Sequence, residues 1–149
     1  MKKPRILIAD YHPMVLAALR GFLEKHGEVV GAVTDGLALV KAAQRLEPDV
    51  IFSGISMPKL NGLDATRALQ NCAPQSRVII VTTYQEPAYK TLAFNAGARG
   101  FLLKRAALAE ELPQALLHVL AGDRYIGLGV REENASVDGA EVWTWRSAL

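Results

Sequence analysis

The side chains able to do chemistry in this chain stand at the ends of short apolar runs. Asp10 follows Ile6-Leu7-Ile8-Ala9, Ser53 and Ser56 follow Val50-Ile51-Phe52, Thr82 follows Val78-Ile79-Ile80-Val81, and Lys104 follows Phe101-Leu102-Leu103. A carboxylate in that setting is either a metal ligand or the cap of the next helix. A lysine directly after an apolar run reads as a crevice group rather than a solvated charge. Hydroxyls are weak nucleophiles unless a base activates them. His12 precedes Pro13 at a helix start and reads as structural. His26 and His118 are far apart in the sequence and have no acid or cysteine at ligand spacing, so no metal site is expected. Cys72 is the only cysteine, which excludes an intramolecular disulfide and fits a reducing cytoplasm.

The elements that must position these groups follow from periodicity. Arg5-Ile6-Leu7-Ile8-Ala9 reads as a strand buried on both faces, and Val15, Leu16, Leu19, Phe22 and Leu23 recur at helical spacing after it. Glu28 to Val33 is a weaker strand, followed by a helix that Asp35 caps and Pro48 closes. Val50-Ile51-Phe52 is a third strand, and Asn61-Gly62 turns into a helix carrying Leu63, Ala65 and Leu69. The β-branched run Val78 to Val81 is a fourth strand, with a helix from Glu86-Pro87 to Gly97. Gly100 to Leu103 is a fifth, and Glu110 to Ala121 a fifth helix ending at Gly122. Strict alternation requires crossovers, hence an α/β fold: a doubly wound, five-stranded parallel sheet with helices on both faces. Groups at the carboxyl ends of such strands converge on a crevice where the strand order switches.

With 149 residues the chain holds one domain, expected over 1–122, and a short tail over 123–149. A formal charge of +2 is too balanced to imply a nucleic-acid surface, and no run approaches the length of a membrane span. Trp143 and Trp145 alternate as on one side of a strand and are expected to dock on the domain or on a second copy.

Four segments, ILIADYHPMVLAALRGFL, EPDVIFSGISMPKLNGLDATRAL, RVIIVTTY and AGARGFLLK, resemble the response-regulator receiver domain, the CheY-like fold of two-component signalling. Within it they are closest to receivers of NarL/LuxR-type regulators, over roughly residues 4 to 122. The resemblance implies an aspartate nucleophile after the third strand, acids after the first that hold Mg²⁺, and a hydroxyl and lysine that bind phosphoryl oxygens. Asp10 falls on the first acidic position, but Tyr11 takes the second. The phosphoacceptor's place, four residues before Pro58, is held by Gly54. Thr82 matches the hydroxyl, Lys104 the lysine, and Phe101 the aromatic that changes rotamer on activation. The expected pocket is therefore Asp10, Tyr11, Gly54, Ser56, Thr82 and Lys104, with Thr82 and Phe101 as switch positions and with no phosphoacceptor, metal or cofactor.

Such a chain is expected to be a cytoplasmic pseudo-receiver, not an enzyme. It would act through a protein partner, a homodimer, or a small ligand in the crevice, and would not bind nucleic acid directly. Without an acid at Gly54, Lys104 should turn to Asp10, and the ring of Tyr11 should plug the crevice. Ser53 should point away from the pocket, and Ser56 should reach its rim. Two other readings are a fragment of a NarL/LuxR-type transcription regulator and a flavodoxin-like cofactor carrier. The second requires a phosphate-binding loop after the first strand, and the acidic, bulky Asp10-Tyr11-His12-Pro13 is unsuited to that.

Overall fold

The computed structural model describes residues 2–130; Trp143 and Trp145 lie outside them. Chain order is β1 (Arg5–Ala9), α1 (Pro13–Leu23), β2 (Glu28–Val33), α2 (Gly36–Leu46), β3 (Val50–Ser53), α3 (Gly62–Cys72), β4 (Arg77–Thr82), α4 (Pro87–Ala96), β5 (Gly100–Leu103), α5 (Leu108–Leu120) and β6 (Tyr125–Ile126). The sheet runs β2-β1-β3-β4-β5-β6, and all its ladders are parallel. The fold is the expected α/β architecture, with one strand more than the five expected. β6 pairs with β5 through Gly100 opposite Tyr125 and Phe101 opposite Ile126.

Period-two alternation divides the strand side chains between two cores. Leu7, Ala9, Ile51, Val78, Ile80, Phe101 and Leu103 pack with Leu39 and Ala43 of α2, Leu69 of α3 and Ala93 of α4. Ile6, Ile8, Val50, Phe52, Ile79, Val81 and Leu102 pack with Leu19 and Leu23 of α1 and with Leu112, Leu116 and Val119 of α5. Burial on both faces is what makes the strands read as continuous apolar runs.

Local signals set the helix ends. Asp35 accepts the Ala38 N–H at 2.7 Å, capping α2. Asn61 caps α3 in the same way through the Asp64 N–H at 2.9 Å. Pro87 opens α4 and Gly97, at φ 112°, closes it in the left-handed region. At Gly62 a side chain would overlap the Gly54 carbonyl oxygen, so a glycine there lets the start of α3 close over the end of β3. Among the described residues no helix is long and apolar enough to cross a membrane.

Candidate functional site

The strand order switches between β1 and β3, and the Gly54 N–H donates to the Ala9 carbonyl there at 2.9 Å. Asp10 follows β1 directly and is 2% exposed. Its Oδ1 accepts the His12 backbone N–H at 2.9 Å and meets His12 Nδ1 at 3.3 Å. Its Oδ2 accepts from Lys104 Nζ at 2.7 Å. The Lys104 N–H donates to the Thr82 carbonyl at 2.8 Å, which extends the β4–β5 ladder and holds the lysine backbone at the crevice. The lysine side chain keeps 20% of its exposure and the aspartate side chain only 3%, so the pair is shielded chiefly on the carboxylate side.

Gly54 belongs to this arrangement through the side chain it lacks. A Cβ there would lie 2.8 Å from Asp10 Oδ2 and 3.5 Å from Asp10 Cγ. Its φ is outside the left-handed region, so the backbone does not require glycine. What opposes a side chain at this position is the Asp10 carboxylate, in the pose that reaches Lys104.

Thr82 is buried, and its Oγ1 accepts the Tyr84 N–H at 3.1 Å. Ser56 is exposed and lines a hollow with Tyr11, Pro58, Asn61 and the buried Met57, and its hydroxyl is bonded to the Tyr84 hydroxyl. Ser53 Oγ donates to the Gly54 carbonyl at 2.8 Å and is fully buried. Phe101 is 1% exposed within the core shared with α2, α3 and α4.

Tyr11 does not plug the crevice. It is 55% exposed and meets the His12 ring edge-on at 5.6 Å. The Asp10–Lys104 pair takes the space into which the phenol was expected to turn. Sequence reasoning also missed Tyr84. It joins the loop after β3 to the loop after β4 through Ser56 and stacks on Tyr89 at 4.6 Å. The signal available was its spacing, two residues past a strand-end threonine and five before a second tyrosine at the start of a helix.

The donor set here does not fit Mg²⁺. That ion takes several hard oxygens in octahedral order. The crevice offers one carboxylate, with Oδ1 engaged by His12 and Oδ2 by an ammonium. Among the described residues no group of three His, Cys, Asp or Glu could hold a metal ion.

A layer order this general hosts many functions, so the family is decided by sequence. The response regulator receiver domain family matches residues 6–116. The chain belongs to that family. This receiver is 36% identical over 133 residues to the response regulator GacA of Pseudomonas aeruginosa, covering 88% of this chain and 62% of that protein. It is 33% identical over 132 residues to the response regulator UvrY of Escherichia coli K12, covering 87% of this chain and 60% of that protein. Among solved structures, the isolated REC domain of RcsB from Salmonella enterica serovar Typhimurium, determined in the presence of phosphomimetic BeF3-, superposes with a TM-score of 0.79. The two are 28% identical, over 87% of this chain and 96% of that one. The signal receiver domain of NarL from Mycobacterium tuberculosis gives 0.78 at 29% identity, over 82% and 99%. The chain spans less than two thirds of the curated relatives it matches.

Proposed function

We propose that this receiver does not accept a phosphoryl group and works as a protein-contact module held in one conformation by the Asp10–Lys104 pair. The observation that carries the reading is the 2.8 Å between a Cβ at Gly54 and Asp10 Oδ2. The space from which a side chain at position 54 would present an oxygen is occupied by a carboxylate that already neutralises Lys104.

Phosphoryl transfer requires a nucleophilic oxygen in line with the phosphorus and cations on the equatorial oxygens. Glycine supplies no such oxygen. The neighbouring hydroxyls are engaged elsewhere, Ser53 with the Gly54 carbonyl and Ser56 with Tyr84. The ammonium that would meet the phosphoryl oxygens is bonded to Asp10 at 2.7 Å. What remains is a scaffold whose regulation passes through contacts with a protein partner or a second copy. A small ligand in the crevice would regulate it only by binding two conformations unequally, and an anion would have to compete with Asp10 for Lys104. A formal charge of +2 supports protein rather than nucleic acid as the partner.

A second reading, the receiver part of a longer NarL/LuxR-type regulator, is favoured by the coverage: the chain spans 62% of GacA. The two readings are compatible, since a receiver without a phosphoacceptor can still be attached to an output domain.

The test is a titration with fluoroberyllate and Mg²⁺ followed by amide chemical shifts. The expected result is no saturable, Mg²⁺-dependent change at Asp10, Thr82 or Lys104. Tight, Mg²⁺-dependent binding at those amides overturns the proposal.

A further inference from the structure

Residues 122–130, after α5, fold back onto the edge of the sheet. Arg99 Nη2 donates to the Gly122 carbonyl at 2.5 Å, and the Arg124 guanidinium lies 4.8 Å above the Phe94 ring. The Tyr125 N–H donates to the Arg99 carbonyl at 3.0 Å and the Gly127 N–H to the Phe101 carbonyl at 2.8 Å. Leu128 then gives its N–H to Glu111 Oε2 at 2.7 Å, and Val130 packs against the core that holds Phe101 and Leu103. Residues 125–126 thus pair in parallel with the first half of β5, and residues 127–130 turn beside Glu111.

Glu111 is the unusual member. It projects from the first turn of α5 and is 4% exposed, yet one of its two oxygens, Oε1, is buried without a hydrogen-bond partner. A carboxylate taken out of water with a single backbone donor is costly, and the cost is removed if the segment lifts and water returns. The tyrosine hydroxyl of the same strap feels this charge: Tyr125 has its pKa raised from 10.0, by burial first and by the Glu111 charge second. Ile126 and Leu128 are 44% and 63% exposed and add little to its hold, whereas Tyr125 packs against the α1–α5 core with its ring 5.4 Å from that of His118, and Val130 against the opposite core. Backbone bonds and these two apolar contacts, which favour docking, are set against a buried charge that opposes it.

We propose that residues 125–130 form a reversible latch on the β5 edge with Glu111 as its catch, so that closing or opening it covers or frees that edge. In the closed state the strap covers the Arg99 and Phe101 carbonyls; in the open state those acceptors form a free sheet edge. The two states differ in discrete contacts, as a switchable element requires. The latch stands on the geometry of α5, β5 and β6 and does not depend on whether Gly54 abolishes phosphorylation.

The experiment is amide hydrogen exchange on the full chain, read at Gly127 and Leu128, with Ile80 in β4 as the control for global unfolding. Glu111→Gln keeps an acceptor for the Leu128 N–H and removes the buried charge, so protection at Leu128 rises, by about threefold or more. Glu111→Ala removes the acceptor, so protection at both amides falls by about tenfold while Ile80 is unchanged. Leu128→Pro removes the donor from an exposed position without touching α5, and lowers protection at Gly127 alone if Glu111→Ala proves too disruptive. Opposite signs for the Gln variant and the donor- or acceptor-deleting variants support the latch. Loss or no change in Glu111→Gln, or no loss in the deleting variants, overturns it.

Discussion

Replacing Gly54 by Ala tests why a glycine stands at the end of β3. The new Cβ would sit 2.8 Å from Asp10 Oδ2, closer than carbon and oxygen tolerate, so the carboxylate must swing away and lengthen its 2.7 Å bond to Lys104. Forcing a methyl into a packed site costs about 1–3 kcal/mol. Against this, alanine at a glycine with an ordinary φ gains about 0.4–1 kcal/mol by restricting the unfolded chain. The net for Gly54→Ala is a loss of about 1 kcal/mol, taking mid-range values of both. In an Asp10→Ala background the opposing oxygen is gone, the first contribution vanishes, and the same Gly54→Ala change should stabilise by about 0.5 kcal/mol. The assay is urea unfolding of the four proteins in a double-mutant cycle, with m-values compared to confirm that the unfolding transition is unaltered. A coupling of about 1–3 kcal/mol is the expected result. If Gly54→Ala changes stability by the same amount in both backgrounds, the Asp10 carboxylate is not what opposes a side chain at position 54.

Other consequences follow from the same contacts. Lys104→Met leaves a 3%-exposed carboxylate with only His12 as partner and should destabilise by about 3 kcal/mol, the low end for a broken buried pair, because water reaches the lysine end. Adding Asp10→Asn to that variant should recover much of the loss, since neither partner is then charged, and failure to recover it in urea unfolding would show that the pair's charge is not the issue. The raised Tyr125 pKa means that the native state holds the phenolic proton more tightly than the unfolded chain does. Its contribution to stability is therefore complete below the ordinary value of 10.0 and is lost as pH rises through the raised value. Tyr125→Phe should flatten that part of the alkaline unfolding profile, and Glu111→Gln should move the Tyr125 phenolate transition down, both readable by ultraviolet titration. An unchanged alkaline profile in Tyr125→Phe would refute the assignment.

The legibility of the sequence varied with the physics behind each feature. β1, β3, β4 and β5 are buried on both faces, so each is an unbroken apolar run, and their bounds follow almost residue by residue. Asp35 and Gly97 mark helix ends because capping and left-handed backbone select those residue types locally. The Asp10–Lys104 pair was also readable, because the receiver resemblance puts both groups in one crevice and position 54 carries no acid to take the lysine. β6 was not readable: two residues carry no period, and its place is set by β5 backbone acceptors and by Glu111, a residue that looks like one more solvated acid at the start of α5. Tyr11 was placed wrongly because filling a crevice was judged by the size of the ring, whereas two smaller charged groups that can bond each other take the space first. Tyr84 escaped notice because its partner, Ser56, is 28 residues away and the two meet only when the β3 and β4 loops come together.

Acetyl phosphate with Mg²⁺, followed by intact mass under conditions that preserve acyl phosphates, tests most directly the proposal that the crevice offers no phosphoryl-accepting oxygen. With a phosphorylatable receiver as positive control, this chain should remain at its unmodified mass. A stable gain of one phosphoryl group, mapped to Asp10, Ser53 or Ser56, would contradict the account.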